Sequence, residues 1–397
     1  MKLPAFIKVA HREFSIAAEN KSVRNLMLII PVVIFILLAF IYVQGSLTKI
    51  PVAVYDEDHS KISRTLIEFL NSTESMEVTY YLSSEDQLET FFLNHKEHAI
   101  FRIPNGMERD ILRGKNVTVQ TLTNSSNIIF GNILLREAYT VVGTLSAGIT
   151  IEKLVATGLT TEEAMNIAMP IVVSAKPLFN PIYNYLYYLV PGLLTVLLQM
   201  IIFFISTRTI NSEFNNGSFT KLVDVSNNNA ANILIGKSLV YLCFGLAISM
   251  FIGVIFVIFG VPFKENGIEL LVLFTLFIVS NIALGLMLSS TIDDEILSLD
   301  IAFFYNSPAF VFSGFTFPIF GMPFFDTLYA QFIPYTHFLY AFFKVYQIGT
   351  PISFIMAEIY ALLIFAIVGY LTAYVALKIR MKEVSHNIKI RPALINE

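Results

Sequence analysis

Charge is what this sequence has least of. Asp, Glu, Lys and Arg make up 14% of its 397 residues, where a soluble domain carries about a quarter. That scarcity argues against an ordinary water-exposed surface. The formal net charge is −4, so no basic surplus exists to meet phosphates, and a general nucleic-acid binder is excluded. The single cysteine, Cys243, stands in an apolar run. It rules out an internal disulfide and any zinc site built on several thiolates. What is abundant is apolar: hydrophobic residues are 55% of the chain and mean hydropathy is +0.67.

A helix crossing the hydrocarbon of a bilayer needs about 20 apolar residues. Six stretches meet that length without a Lys or Arg: 26–44, 185–206, 239–259, 268–290, 296–317 and 354–377. The first is too long for a cleaved signal peptide, holds Pro31 and lacks a small-residue cleavage site. An even number of spans puts both termini on one side. Basic residues cluster before the first stretch (Lys2, Lys8, Arg12, Lys21, Arg24), in the segment 207–238 (Arg208, Lys221, Lys237) and after the last (Lys378, Arg380, Lys382, Lys389, Arg391). The opposite short segments hold only Lys264 and Lys344. The positive-inside rule therefore makes both termini and the 207–238 loop cytoplasmic. The acidic turn Asp293–Asp294–Glu295 runs against this, but acids weigh little in the rule.

Residues 1–25 read as an amphipathic interfacial helix, with Phe6, Val9, Ala10, Phe14 and Ala17 on one face and Lys8, Arg12, Ser15 and Glu19 on the other. Glu13 falls inside the apolar arc, which the pattern does not explain. Residues 45–183 are then extracytoplasmic and long enough for their own core. "IPVAVYD", "MEVTYYL", "HAIFRIP" and "VTVQTL" read as strands. "SKISRTLIEFL", "SEDQLETFFLN" and 128–156 read as helices between and after them, which predicts a small α/β domain. The expected fold is an α-helical polytopic membrane protein with an inserted extracytoplasmic α/β domain; residues 184–397 carry the remaining spans and a cytoplasmic tail, 378–397.

Several stretches imitate chemical sites. "AANILIGKS" comes close to a phosphate-binding loop, but Ala231 replaces the first glycine and no strand precedes it. The plainer reading is a helix start at the membrane surface, with Lys237 snorkelling to the headgroups; the chain then hydrolyses no ATP itself. "HKEH" at 95–98 lacks the spacing that brings two histidines onto one metal, and Asp293–Glu295 reads as a solvated turn beside a helix N-terminus. No catalytic constellation and no metal set stands out. Inside the apolar stretches, Thr195, Gln199, Asn281, Asp300, Tyr305 and Asn306 either bond helix to helix or line a path. The stretch 313–343 is too apolar for a loop in water, yet Pro318, Pro323 and Pro334 interrupt any long helix. Short helices that dip in from the outer face and return fit it best.

Taken in order, "REF" at 12–14, "IIPVV" at 29–33, "VAVYDEDHSKISRTLI" at 52–67, Ser313–Gly314–Phe315 with Phe317–Pro318, Met322–Pro323, and Pro334, Thr336 and Phe338 resemble the ABC-2 type transporter permeases. The likeness is to the subgroup with a large domain after the first span, and it covers nearly the whole chain. It implies a permease subunit of an ABC exporter moving an amphiphilic, drug-like or lipid-like cargo out across a bacterial cytoplasmic (inner) membrane. The family's first cytoplasmic loop docks on a separate ATPase subunit, and Glu213, Gly217, Ser218, Leu222, Gly236 and Lys237 match its motif. Thr220 stands where an acid is usual, and "VS" follows where Thr-Pro is often found. Phe214, Phe219 and Leu222, with Lys221 between them, form a short amphipathic helix suited to a hydrophobic groove on the partner.

The resemblance further implies ATP and Mg bound only by that ATPase, with no cofactor on this chain. It implies a second permease chain, identical or a paralogue, with the second and fifth spans at the seam. Thr195, Gln199, Tyr305 and Asn306 become candidates for the cargo path, and Ser313, Gly314, Pro318, Pro323 and Pro334 mark the re-entrant segment. Membrane lipid and a periplasmic adaptor or membrane-fusion protein complete the expected partners; nucleic acid is not among them. A receptor or envelope scaffold whose outer domain binds a ligand, without transport, is the competing reading. A neighbouring gene for an ATPase favours export, and one for a kinase favours sensing.

Overall fold

The computed structural model describes residues 3–181, 183–264 and 267–390; Lys2 and Arg391, counted among the flanking basic residues, lie outside them. The chain divides into two compact units. One is Met1–Gly45 with Leu178–Glu397, and the other is the continuous segment Ser46–Pro177.

The larger unit begins with helix α1 (Ala5–Glu19), a short turn of helix α2 (Lys21–Arg24), and a π-helical turn at Asn25–Ile29 that runs into α3 (Ile30–Ile41). Val9, Ala10, Glu13 and Ala17 are the buried face of α1. Phe14, grouped with them by the helical pattern, is exposed instead.

The smaller unit runs β1 (Ile50–Asp56), α4 (Lys61–Ser72), β2 (Met76–Tyr81), α5 (Gln87–Asn94), β3 (Ala99–Ile103), α6 (Met107–Leu112), β4 (Gln120–Thr123), α7 (Ile128–Ala156) and α8 (Thr161–Ala168). The sheet order is β2-β1-β3-β4, with β1 parallel to β2 and β3, and β4 antiparallel to β3. Alternation along β1 sets the two faces. Val52 and Val54 pack with Leu66 and Leu70 of α4 and with Leu134, Ala138 and Val141 of α7, while Ala53 turns to Ile100, Leu82 and Phe91 on the other face. Helix α8 was not read from the sequence. Its signal is present, because Thr160 and Glu163 close a capping box around its first turn.

The larger unit resumes with α9 (Tyr185–Arg208), α10 (Asn211–Asn215), α11 (Phe219–Val225), α12 (Ala230–Ile258), α13 (Gly267–Thr291), α14 (Glu295–Asn306), α15 (Ala309–Phe312), α16 (Phe324–Gln331), α17 (Pro334–Phe343) and α18 (Met356–Ile390). Among the described residues, five helices are long and apolar enough to cross a membrane. Four are α9, α12, α13 and α18. The fifth is α7, whose apolar side covers the sheet of the smaller unit. The first expected span appears as a shorter apolar helix, Asn25–Ile41.

The expected span at 296–317 is not a continuous helix. α14 stops at Asn306: Ser307 keeps helical angles, but Pro308 has no N–H to continue the ladder. Twelve residues rise about 18 Å, short of a hydrocarbon core of about 30 Å. The segment after it is a series of short turns whose starts are set by proline. Pro318 precedes the 3₁₀ turn Ile319–Gly321, Pro323 precedes α16, and Pro334 is the first residue of α17. Ser313 is buried, and Gly314 turns the chain with φ +86°. α17 buries Tyr335, Phe338 and Phe342, and Phe338 stacks on Phe277 of α13 at 3.9 Å.

A fragment spanning residues 46–177 should be soluble and melt cooperatively, because its core is supplied entirely from within that segment. A molten, dye-binding product would refute this. Within it, the Asp58 carboxylate accepts from the backbone N–H of Glu108 at 3.0 Å, at the start of α6. Partial burial pushes its pKa up, but the Ser60 hydroxyl and the amides of Glu108, Gly106 and Met107 outweigh that and hold it below the ordinary value. A lowered pKa contributes stability above the unfolded value, about pH 4, and loses it as pH falls through the folded one. Asp58→Asn should therefore melt below the wild-type fragment near pH 7, with the gap closing below about pH 4. A gap independent of pH would count against it.

Candidate coupling site

The polar island between α9 and α12 is folded by its asparagines. Asn227 and Asn228 both take positive φ, which asparagine tolerates better than most residues, and Asn229 caps α12 by accepting from the Ala231 N–H at 2.9 Å. Gly217, at φ +64°, makes the turn between α10 and α11. On the near side, the Ser289 hydroxyl of α13 accepts from the backbone of Ile210 and Asn211 at 2.8 and 3.1 Å, tying down the corner after α9. The stretch that imitates a phosphate loop is helix from Ala230 onward, with Asn229 capping the Ala231 amide, so it forms no glycine-rich loop to wrap around a phosphate.

Beside this island lies a buried cluster of two acids and two bases drawn from three elements. The Lys237 ammonium of α12 has no exposed surface. It lies 2.5 Å from the Glu13 carboxylate of α1 and 3.3 Å from Glu213 of α10, and donates to the Thr209 carbonyl at 3.1 Å. Arg12 forks onto Glu213, one arm at 2.8 Å. The hydrogen bond it donates to Glu213 is the main cause holding the guanidinium above its ordinary pKa, against the desolvation that would lower it. The Ser218 hydroxyl donates to Glu213, while those of Thr209 and Tyr241 donate to Glu13. The two positive and two negative charges balance, so each buried ion has counter-charge as well as hydrogen bonds. The approach of α1 depends on Gly236: a Cβ there would stand 2.6 Å from the Phe6 carbonyl oxygen and from Val9.

This geometry corrects two expectations. Lys237 does not snorkel to the membrane surface, because two carboxylates hold its ammonium inside. Phe219 and Leu222, 3% and 0% exposed, are anchors in the chain's own core and are not free for a partner's groove. Phe219 stacks on Phe214 at 4.0 Å, and Arg380 of α18 lies over the Phe214 ring at 4.8 Å. What the island exposes is polar: Asn215, Asn216, Gly217, Thr220, Lys221, Asp224 and Asn227–Asn229. Arg12, Glu13, Thr209 and Tyr241 were not expected in the site. The signal for them was Glu13, an acid within an apolar arc, which finds its reason in Lys237.

The candidate path residues are bonded within the chain. Gln199 donates to Asn306 at 2.9 Å, joining α9 to α14, and Thr195 lies between the Pro191 carbonyl at 2.8 Å and the Tyr335 hydroxyl at 3.3 Å. The Tyr305 hydroxyl donates to the Phe332 carbonyl at 2.5 Å. The acidic turn is likewise engaged: Asp293 pairs with Arg380, Asp294 caps α14, and Glu295 pairs with Arg208. His95 stacks on Phe91, and no three His, Cys, Asp or Glu among the described residues could hold a metal ion.

No curated protein and no solved structure matches the chain. The family model described as "ABC-2 family transporter protein" matches residues 21–375, from just after α1 into α18. That match spans α9, the island and the proline-set turns, and the chain belongs to the ABC-2 transporter family.

Proposed function

We propose that this multi-pass membrane protein is the permease subunit of an ATP-driven exporter, powered through the island by a separate ATPase that alone binds ATP and Mg. The observation that carries the reading is the buried charge cluster. It joins α1, α10 and α12 into one body at the base of the membrane unit, so a push on the island moves the helices rather than bending a loop. The partner meets the polar face around Thr220, Lys221 and Asp224. The basic flanks support a cytoplasmic location for both termini and the island, in a bacterial inner membrane; counting spans adds nothing once α14 is seen to be broken.

A second permease chain, identical or paralogous, completes the assembly. Cargo passes along the exposed aromatic face of α14, where Phe303 and Phe304 stand free of the core. The Gln199–Asn306 pair positions that face without touching cargo. Such a surface suits an amphiphilic cargo. The unit 46–177 lies outside the cytoplasm and is available to a periplasmic adaptor.

Two kinds of variant separate coupling from folding. In the complex with its ATPase, Lys221→Glu or Thr220→Trp alters only the exposed face. Either should weaken association with the ATPase by roughly tenfold or more while the chain inserts and melts as wild type. Normal association in both would sink the docking face. Lys237→Ala instead leaves Glu13 and Glu213 buried without their shared ammonium. Removing one partner of such a set costs about 3–5 kcal/mol, so the chain should melt markedly lower even without any ATPase. Unchanged thermal stability would show that the cluster is not closed in the membrane.

A further inference from the structure

On the side of α1 away from the charge cluster lies an apolar groove of about 590 Å³, walled by Ala10 and Phe14 of α1, Met27 of the π turn, and Leu239, Cys243 and Phe244 of α12. A cavity of this size takes a small molecule or one segment of a chain. Its polar rim is basic. Arg24 and His11 border it, and the Arg24 guanidinium is fixed by donating to the Ala18 carbonyl at 3.1 Å, with its other donors free to take a ligand. Lys8, Lys21 and Arg24 are all exposed, and none of the three pairs with a carboxylate among the described residues. Arg12, the remaining base of α1, is committed to Glu213. The site thus combines a dry slot with the Arg24 cation at its mouth, and Lys8 and Lys21 lie close by in the chain, on a helix whose amphipathic pattern puts it at the headgroup level.

We propose that this groove is a binding site for an anionic glycerophospholipid of the surrounding leaflet, one acyl chain lying between α1 and α12 and the phosphate held at Arg24. A lipid headgroup is favoured over a soluble anion because the basic rim continues directly into an apolar slot. This inference requires only that the chain sits in a membrane, not that it transports anything.

The chain has no tryptophan, so a single introduced one reports its own surroundings. Phe14→Trp, at a position 65% exposed in the groove wall, and Phe354→Trp, 67% exposed in the 3₁₀ turn Ile352–Ile355 that leads into α18, serve as probe and control. The full chain would be reconstituted in vesicles with either brominated phosphatidylglycerol or brominated phosphatidylcholine at equal mole fraction, and tryptophan quenching measured. At Phe14→Trp the anionic lipid should be preferred by about fivefold, the effect of one basic residue near an anionic surface. The control should show no preference, and Arg24→Gln should abolish it at the probe. Equal quenching by both lipids, a preference as large at the control, or one that survives Arg24→Gln would each overturn the site and reduce the groove to ordinary bilayer contact. None of these outcomes bears on whether an ATPase docks at the island.

Discussion

A lysine ammonium with no exposed surface stays charged only where carboxylates and carbonyls meet it from several sides, because desolvation of an isolated ion is prohibitive. Lys237 imposes that requirement on the membrane unit. One acid comes from α1 and one from α10, and Thr209 at the end of α9 supplies the rest. Three stretches, at residues 12–13, 209–213 and 237, must therefore assemble together, and the lack of a side chain at Gly236 lets α1 come close enough to take part. The N-terminal helix is consequently a structural member of the membrane unit, and it carries one acid, Glu13, on a buried face otherwise made of Val9, Ala10 and Ala17.

A second constraint acts deeper in the unit, where water cannot satisfy a broken backbone. Pro191 lies inside α9 and has no N–H to give, which frees the Tyr187 carbonyl one turn before it. The Tyr346 hydroxyl donates to that carbonyl, and the Tyr335 hydroxyl donates to Gly192 at 2.6 Å. Irregular backbone is tolerated at membrane depth only when it is answered by protein in this way. The proline-set turns after α14 are thus held to α9 by phenolic hydroxyls. This gives the abundant tyrosines of the region a structural task alongside any contact with cargo.

Much of the architecture could be read from pattern. The strands and helices of the 46–177 segment follow alternation and helical spacing, and α7 spans the residues its apolar repeat suggested. The long apolar helices follow from length alone, and the proline positions foretold short turns after residue 313. The reading failed where one local rule competed with another. Composition made 296–317 look like a span, while Pro308 within it ended the helix. The capping box of α8 was in plain view but lay in an unremarkable polar stretch.

By itself the sequence determined the membrane class, the apolar lengths, the breaks and the family motifs, because each depends on composition, period or order along one strand of chain. Only the tertiary structure decided which way side chains face. Phe219 and Leu222 read as a free amphipathic face, and Lys237 read as a headgroup lysine, because helical spacing gives a direction but not what lies in it. Glu13 supplied what lay there, 224 residues from Lys237 along the chain. A contact of that range leaves no periodic trace in sequence, and the energy of a buried ion pair belongs to both partners at once.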